Sequence, residues 1–218
     1  LASVLQRTWV MALCSDAQGN LWYGRGWAGP GLSRYDPKTG DSARFNAAAG
    51  LSFDQVWSVE RSPDRGLWIG TGGGLARYRE GKMEDYREKL GVPTGAVFNL
   101  RHDAEGILWI GTSQGLHRLE PLPTAGSDVG KLTSPNNRSN QSLDTPAPTI
   151  GTVLTNCLIE GRRLISITVT NGLPDQKVWC SARTRDGKIW MGTETHGLLG
   201  YDGKAVTVLD KRDGLAGN

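Results

Sequence analysis

Apolar residues fall in short runs of four to six, separated by polar segments built around glycine, and the runs recur at a fixed phase. The most recognisable run reads LWYG at Leu21–Gly24, LWIG at Leu67–Gly70, LWIG at Leu108–Gly111 and IWMG at Ile189–Gly192. Its tryptophans, Trp22, Trp68, Trp109 and Trp190, are 46, 41 and 81 residues apart, that is, one, one and two periods of about 40. Twelve residues before each tryptophan a valine (Val10, Val56, Val97, Val178) opens another run, and a polar turn such as SDAQGN or RHDAEG lies between. After each tryptophan come a Gly-Leu pair, a third stretch such as SRYD or ARYR, a last apolar segment and a loop such as AGLSFDQ or NGLPDQK. Each unit is thus four short extended segments joined by turn chemistry.

A period near 41 also suits paired-helix repeats, but glycine is 30 of 218 residues, roughly twice the usual level. It interrupts every stretch before a stable helix length is reached. The runs are rich in Val, Ile, Leu, Trp and Tyr, as in strands buried on both faces. The fold class is therefore all-β, a β-propeller of four-stranded blades. The doubled gap predicts a copy near residue 149 without its tryptophan, and Thr149–Thr152 reads TIGT there. Five repeat units follow, at about 10–55, 56–96, 97–136, 137–177 and 178–218, with the fourth degenerate and the weakest. They either close as a ring or form a segment of a larger propeller.

The second unit, VWSVERSPDRGLWIGTGGGLARYREG, and the third, VFNLRHDAEGILWIGTSQGLHRLE, resemble the two-component regulator propeller repeat, with its valine strand, D-x-x-G, LWIGT and GL-x-RYD. The resemblance implies a bacterial, extracytoplasmic (periplasmic) sensor domain with a ligand site, with further blades or a fused signalling module beyond it. It covers four clear copies and one degenerate copy and is more specific for repeat type than for function.

The stretch Pro121–Pro148, rich in Ser, Pro, Asn and Thr, breaks the rhythm and is expected to be an irregular, mobile insertion. Asn137 and Asn140 sit in formal glycosylation sequons, which the bacterial resemblance disfavours. With 25 basic and 22 acidic residues and no basic cluster, the chain gives no argument for nucleic acid. No apolar run of membrane-spanning length occurs. The chain starts at Leu1 without a leader pattern, which reads as a processed or excised piece. Cys14, Cys157 and Cys180 lack metal spacing and read as free thiols.

Few motifs carry chemistry. Gly24–Gly29 satisfies G-x-G-x-x-G, but Pro30-Gly31 and a strand follow where a helix is required. The recurring Asp-x-x-Gly reads as a hairpin turn in preference to a calcium loop, the Asp bonding nearby N–H groups. His102, His117 and His196 fall at three phases, so no metal site and no cofactor is expected. Trp22, Trp68, Trp109 and Trp190 recur at one phase and are assigned a structural role between blades. Trp57, Phe98 and Trp179 share a second phase, at the start of what should be the innermost strands.

Strand direction places the loops before the Gly-Leu pairs on the same face as the loops between units. That face should gather Arg25 and Trp27, Ser113 and Gln114, and Glu194 and His196. The candidate ligand-binding set is Arg25, Trp27, Trp57, Gln114, Trp179, Glu194 and His196, without catalytic residues. The first unit is longer than the second, partly in the loop carrying Trp27, and insertions in repeat proteins map to loops. The leading reading is a non-catalytic sensor binding a small molecule or glycan at one mouth. A lyase-like propeller enzyme and a protein-interaction scaffold are the alternatives.

Overall fold

The computed structural model describes residues 9–26, 31–51, 53–87, 95–121, 153–159 and 162–216. These residues form four antiparallel sheets. The first holds β1 (Val10–Ser15), β2 (Leu21–Arg25), β3 (Leu32–Tyr35) and β4 (Ser42–Phe45). The second holds β5 (Val56–Arg61), β6 (Leu67–Thr71), β7 (Gly74–Arg79) and β8 (Lys82–Asp85). The third contains β9 (Val97–His102), β10 (Leu108–Thr112), β11 (Gly115–Pro121), β12 (Val153–Ile159) and β13 (Arg162–Ile167). The last is β14 (Val178–Arg183), β15 (Ile189–Thr193), β16 (Leu198–Tyr201) and β17 (Val206–Leu209). Each sheet is a propeller blade, and β1, β5, β9 and β14 stand side by side as the inner strands.

The unit expected at 137–177 does not form a sheet of its own among the described residues. In the third sheet the strand order is β12-β13-β11-β10-β9, so β13 is the fourth strand of the third blade and β12 an added outer strand. His117 lies opposite Ser166 and Leu119 opposite Leu164 in this pairing. The turn that follows β13 confirms the register. Thr168, Asn46 and Asp210 each begin a single 3-10 turn that ends on a left-handed glycine, Gly172, Gly50 and Gly214 respectively. Glycine is favoured there because its φ is close to +90–110°. The following leucine N–H then bonds back to the capping carbonyl, fixing the exit toward the next blade. The 81-residue tryptophan gap is one blade carrying 40 residues between β11 and β13. The segment 122–148 of the expected insertion and Thr149–Thr152 lie outside the described residues.

The core lies between blades rather than within them. One cluster joins Trp22, Leu32 and Leu51 of the first blade to Val56, Leu67 and Ile69 of the second. Another joins Trp68, Leu75 and Tyr86 to Val97, Leu108 and Ile110. In the last, Trp109, Leu116 and Leu173 meet Val178, Ile189 and Met191. The glycine of each LWIG run makes this approach possible. A Cβ on Gly24 would lie 2.3 Å from Val56 Cγ1, one on Gly70 2.6 Å from the Val97 carbonyl oxygen, and one on Gly111 2.9 Å from that of Val178. Val178 therefore packs directly on the third blade, and the fourth sheet follows it with nothing between.

Trp22, Trp68 and Trp109 are buried in these interfaces, whereas Trp190 is half-exposed. The Asp before the tryptophan holds the hairpin in two blades. Asp16 accepts from Gln18 N, Asn20 N and Trp22 Nε1, and Asp103 from Glu105 N, Ile107 N and Trp109 Nε1, the indole bonds both at 2.8 Å. In the second blade the hairpin keeps the same register with other residues. Ser62 takes the Asp position, and Arg65 takes the glycine position with φ 69°.

Candidate functional site

All four inner strands begin at one mouth of the assembly, and all four carry a β-bulge at the same step. Val10 pairs with Arg25 and Ala12 with Gly24, which leaves Met11 unpaired between them. Trp57, Phe98 and Trp179 are skipped in the same way in their ladders. A bulge removes a residue from the alternation of the pleat and re-aims its side chain. Here it turns an apolar group out of each blade into a common row. The Trp57 and Phe98 rings meet edge to face at 6.0 Å, and Phe98 and Trp179 lie 4.2 Å apart. Trp179 is 41% exposed and Met11 44%. Gly26, at the end of β2, closes on the same row: a Cβ there would lie 2.8 Å from Met11 Cγ and 3.5 Å from the Trp57 ring.

Threonine shapes the loops around this row. In the LWIGT and IWMGT strands Thr71, Thr112 and Thr193 donate their hydroxyls to the carbonyls of Gly74, Gly115 and Gly197, folding each loop back on its strand. Arg25 occupies this position in the first blade. It is 5% exposed, with its guanidinium 5.5 Å from the Tyr23 ring centroid. Arg25 is thus a buried side chain at the end of β2, whereas the sequence placed it in a loop at the mouth. Trp27 lies outside the described residues. Gln114 is exposed in the third-blade loop, its N–H bonded to Thr112 Oγ1 at 3.0 Å.

In the fourth blade, Glu194 and His196 are exposed but held by neighbours the sequence did not single out. Lys177 Nζ donates to Glu194 Oε1 at 2.8 Å, and His196 Nδ1 is 3.5 Å from Asp175 Oδ2. Asp175 also accepts from Thr195 N and Oγ1 at 2.7 and 2.8 Å and from Lys177 N at 3.1 Å. Burial opposes its charge, yet these hydrogen bonds outweigh burial and hold the carboxyl well below the usual carboxylate range. The structure therefore gathers Trp57, Phe98, Trp179 and the unforeseen Met11, and ties Glu194 and His196 into a local network. Met11 shares the phase of Trp57 in the repeat register, which is the signal that marks it.

At the opposite ends of the inner strands a cleft of about 420 Å³ is lined by Cys14, Glu60 and His102 among others. The Glu60 carboxylate accepts the His102 N–H at 3.0 Å and lies 3.7 Å from His102 Nδ1. Burial raises the Glu60 pKa, but the His102 contacts and the Arg101 charge bring it below its ordinary value. Burial and the Glu60 charge push the Cys14 thiol up, away from the reactive thiolate. Next to it Arg183 bridges Asp103, at 2.9 Å, and Glu105 across the third and fourth blades. His117 is fully buried between Thr112 and Ser166, and burial lowers its pKa to about 4. The three histidines thus serve three separate environments.

A family model described as the two component regulator propeller matches residues 91–114 and 172–195. Both matches span the same part of a repeat, from the loop before the inner strand to the loop after LWIGT or IWMGT, so the third and fourth blades are similar to this repeat. No curated protein sequence matches the chain. Among solved structures it is similar to two domains of B. thetaiotaomicron, each described as the extracellular domain of a hybrid two component system. One is 18% identical with a TM-score of 0.62, over 89% of this chain and 22% of that one. The other is 21% identical with a TM-score of 0.61, over 93% and 22%. Virginiamycin B lyase from Staphylococcus aureus is 13% identical with a TM-score of 0.58, over 94% and 57%. The chain spans about a fifth of the two component system domains. At these identities the likeness shows the propeller fold.

Proposed function

We propose that this chain is a non-catalytic, extracytoplasmic sensor propeller that binds a small molecule or glycan at the mouth lined by Met11, Trp57, Phe98 and Trp179. The observation that carries the reading is the bulge repeated in all four inner strands, which presents four apolar side chains, three of them aromatic, in one row. Aromatic faces with a few polar groups at the rim are the usual form of small-ligand sites. They suit planar groups and the apolar faces of sugar rings. The polar groups beside them favour binding over proton transfer, because Glu194 and His196 are engaged by Lys177 and Asp175. The repeat match and the extracellular two component system domains of similar fold support the sensor role.

The test is a titration of the chain with a panel of neutral and acidic oligosaccharides, read by tryptophan fluorescence and melting temperature. A ligand should raise the melting temperature without being turned over. Trp179→Ala should weaken its binding about tenfold or more while leaving the unliganded melting temperature close to wild type, since Trp179 is exposed. Turnover of the ligand, or binding unchanged in both Trp179→Ala and Trp57→Ala, would refute the reading.

A further inference from the structure

Two clefts at the far ends of the inner strands share one wall. The cleft of about 420 Å³ lies where the first three blades meet and is lined by Glu60, Arg61 and His102 among others. A second, of about 320 Å³, lies between the third and fourth blades and is lined by Arg101, His102, Arg183 and Arg185 among others. Both are in the size range of small-ligand sites. The His102 ring lines both clefts and stands between them. Its side chain is 9% exposed, and neither ring nitrogen has a hydrogen-bond partner, the Glu60 carboxylate lying 3.7 Å from Nδ1. An imidazole always carries at least one N–H, so a buried donor is left without an acceptor. Native proteins rarely leave such a donor unmatched, and a bound group is one way to match it.

The charges around this ring are engaged unequally. Four arginines and three carboxylates line the two clefts. All three carboxylates are held by the protein. Glu60 accepts the backbone N–H of His102. Asp103 accepts from Glu105 N, Ile107 N, Trp109 Nε1 and Arg183, and Glu105 pairs with the same Arg183. Arg61, Arg101 and Arg185 are exposed, and among the described residues their guanidinium groups make no hydrogen bond or ion pair. Arg101 acts on Glu60 only through its field. The charges left over are therefore all positive.

We propose that the two clefts form a second binding site, at the mouth opposite the aromatic row, for a small molecule carrying two or more anionic groups, carboxylate or phosphate. A guanidinium matches the paired oxygens of either group. Arg101 and Arg185 hold one anionic group in the smaller cleft and Arg61 another in the larger, and His102 gives its unmatched N–H to the ligand between them. The site shares no residue with the aromatic row, so it stands or falls independently of the ligand reading above.

Titration with citrate and with pyrophosphate at constant ionic strength, read by calorimetry and by the imidazole NMR signals, tests the site. At least one anion should bind with a Kd of about 1 mM or tighter, and the tighter of the two tells carboxylate from phosphate recognition. Arg101→Gln and Arg185→Gln should each weaken binding about tenfold. Arg65→Gln, which alters an exposed arginine outside both clefts, should leave it unchanged. The histidines provide an internal control: the His102 ring signals should move, while those of buried His117 and of His196 at the other mouth should not. Failure of both anions to bind would overturn the proposal. So would binding that Arg101→Gln leaves intact, an equal loss in Arg65→Gln, or ring signals of His102 that stay in place.

Discussion

His117 makes the stability of the third blade depend on pH in a way that can be calculated. Its ring is fully buried between β10 and β13, with Nδ1 2.9 Å from Ser166 Oγ and Nε2 3.3 Å from Thr112 Oγ1. Burial disfavours the imidazolium and lowers the pKa from 6.5 to about 4. The sign follows from linkage: the unfolded chain takes up a proton between those two values and the folded chain does not. The full contribution of the neutral ring is therefore present above pH 6.5 and is lost as pH falls toward 4. From the two pKa values the loss relative to pH 8 is roughly 2 kcal/mol at pH 5 and roughly 3 kcal/mol at pH 4. Urea unfolding at pH 8, 6.5 and 5 measures it directly. In His117→Gln, which keeps a polar amide but has no titrating group, the same pH change should cost about 2 kcal/mol less. The lowered carboxylates Asp175, Glu60, Asp16 and Asp64 contribute above their unfolded values, near 4, and lose that contribution only below them. They leave the chosen window clear. Equal pH slopes in wild type and His117→Gln would refute the assignment.

Two further substitutions test the local arguments. Gly70→Ala would bring a methyl group within 2.6 Å of the Val97 carbonyl and should cost about 1–3 kcal/mol in urea unfolding; a neutral outcome would mean that the blades are not held at this distance. Arg65→Gly replaces a side chain held at φ 69°, where the other hairpins carry glycine, and should raise the urea midpoint by roughly 0.5–1 kcal/mol of stability. A lowered midpoint would show that the Arg65 side chain contributes more than its backbone strain costs.

Local repetition determined most of the fold. The opening valine, the LWIG glycine and the Gly-Leu pair recur because every blade must fit the next one, so the contact that each residue serves is written into its phase. That is why four-stranded blades, and an inner position for the valine strand, could be read before any coordinates. The ownership of residues 153–167 could not. An insertion of one period's length inside a blade has the same spacing as a blade that lost its tryptophan, and only the pairing of β13 with β11 separates the two. The mouth was half legible. Trp57, Phe98 and Trp179 share a phase, but their convergence with Met11 depends on bulges, and a bulge is a hydrogen-bonding event between strands that leaves no composition of its own. Arg25 looked like a loop group by sequence and is buried, because in the first blade it fills the place of the loop-closing threonine. Asp175 gave no periodic signal at all. Its charge is held by N–H groups twenty residues away, brought within reach only when the loop after IWMGT folds over the start of the blade.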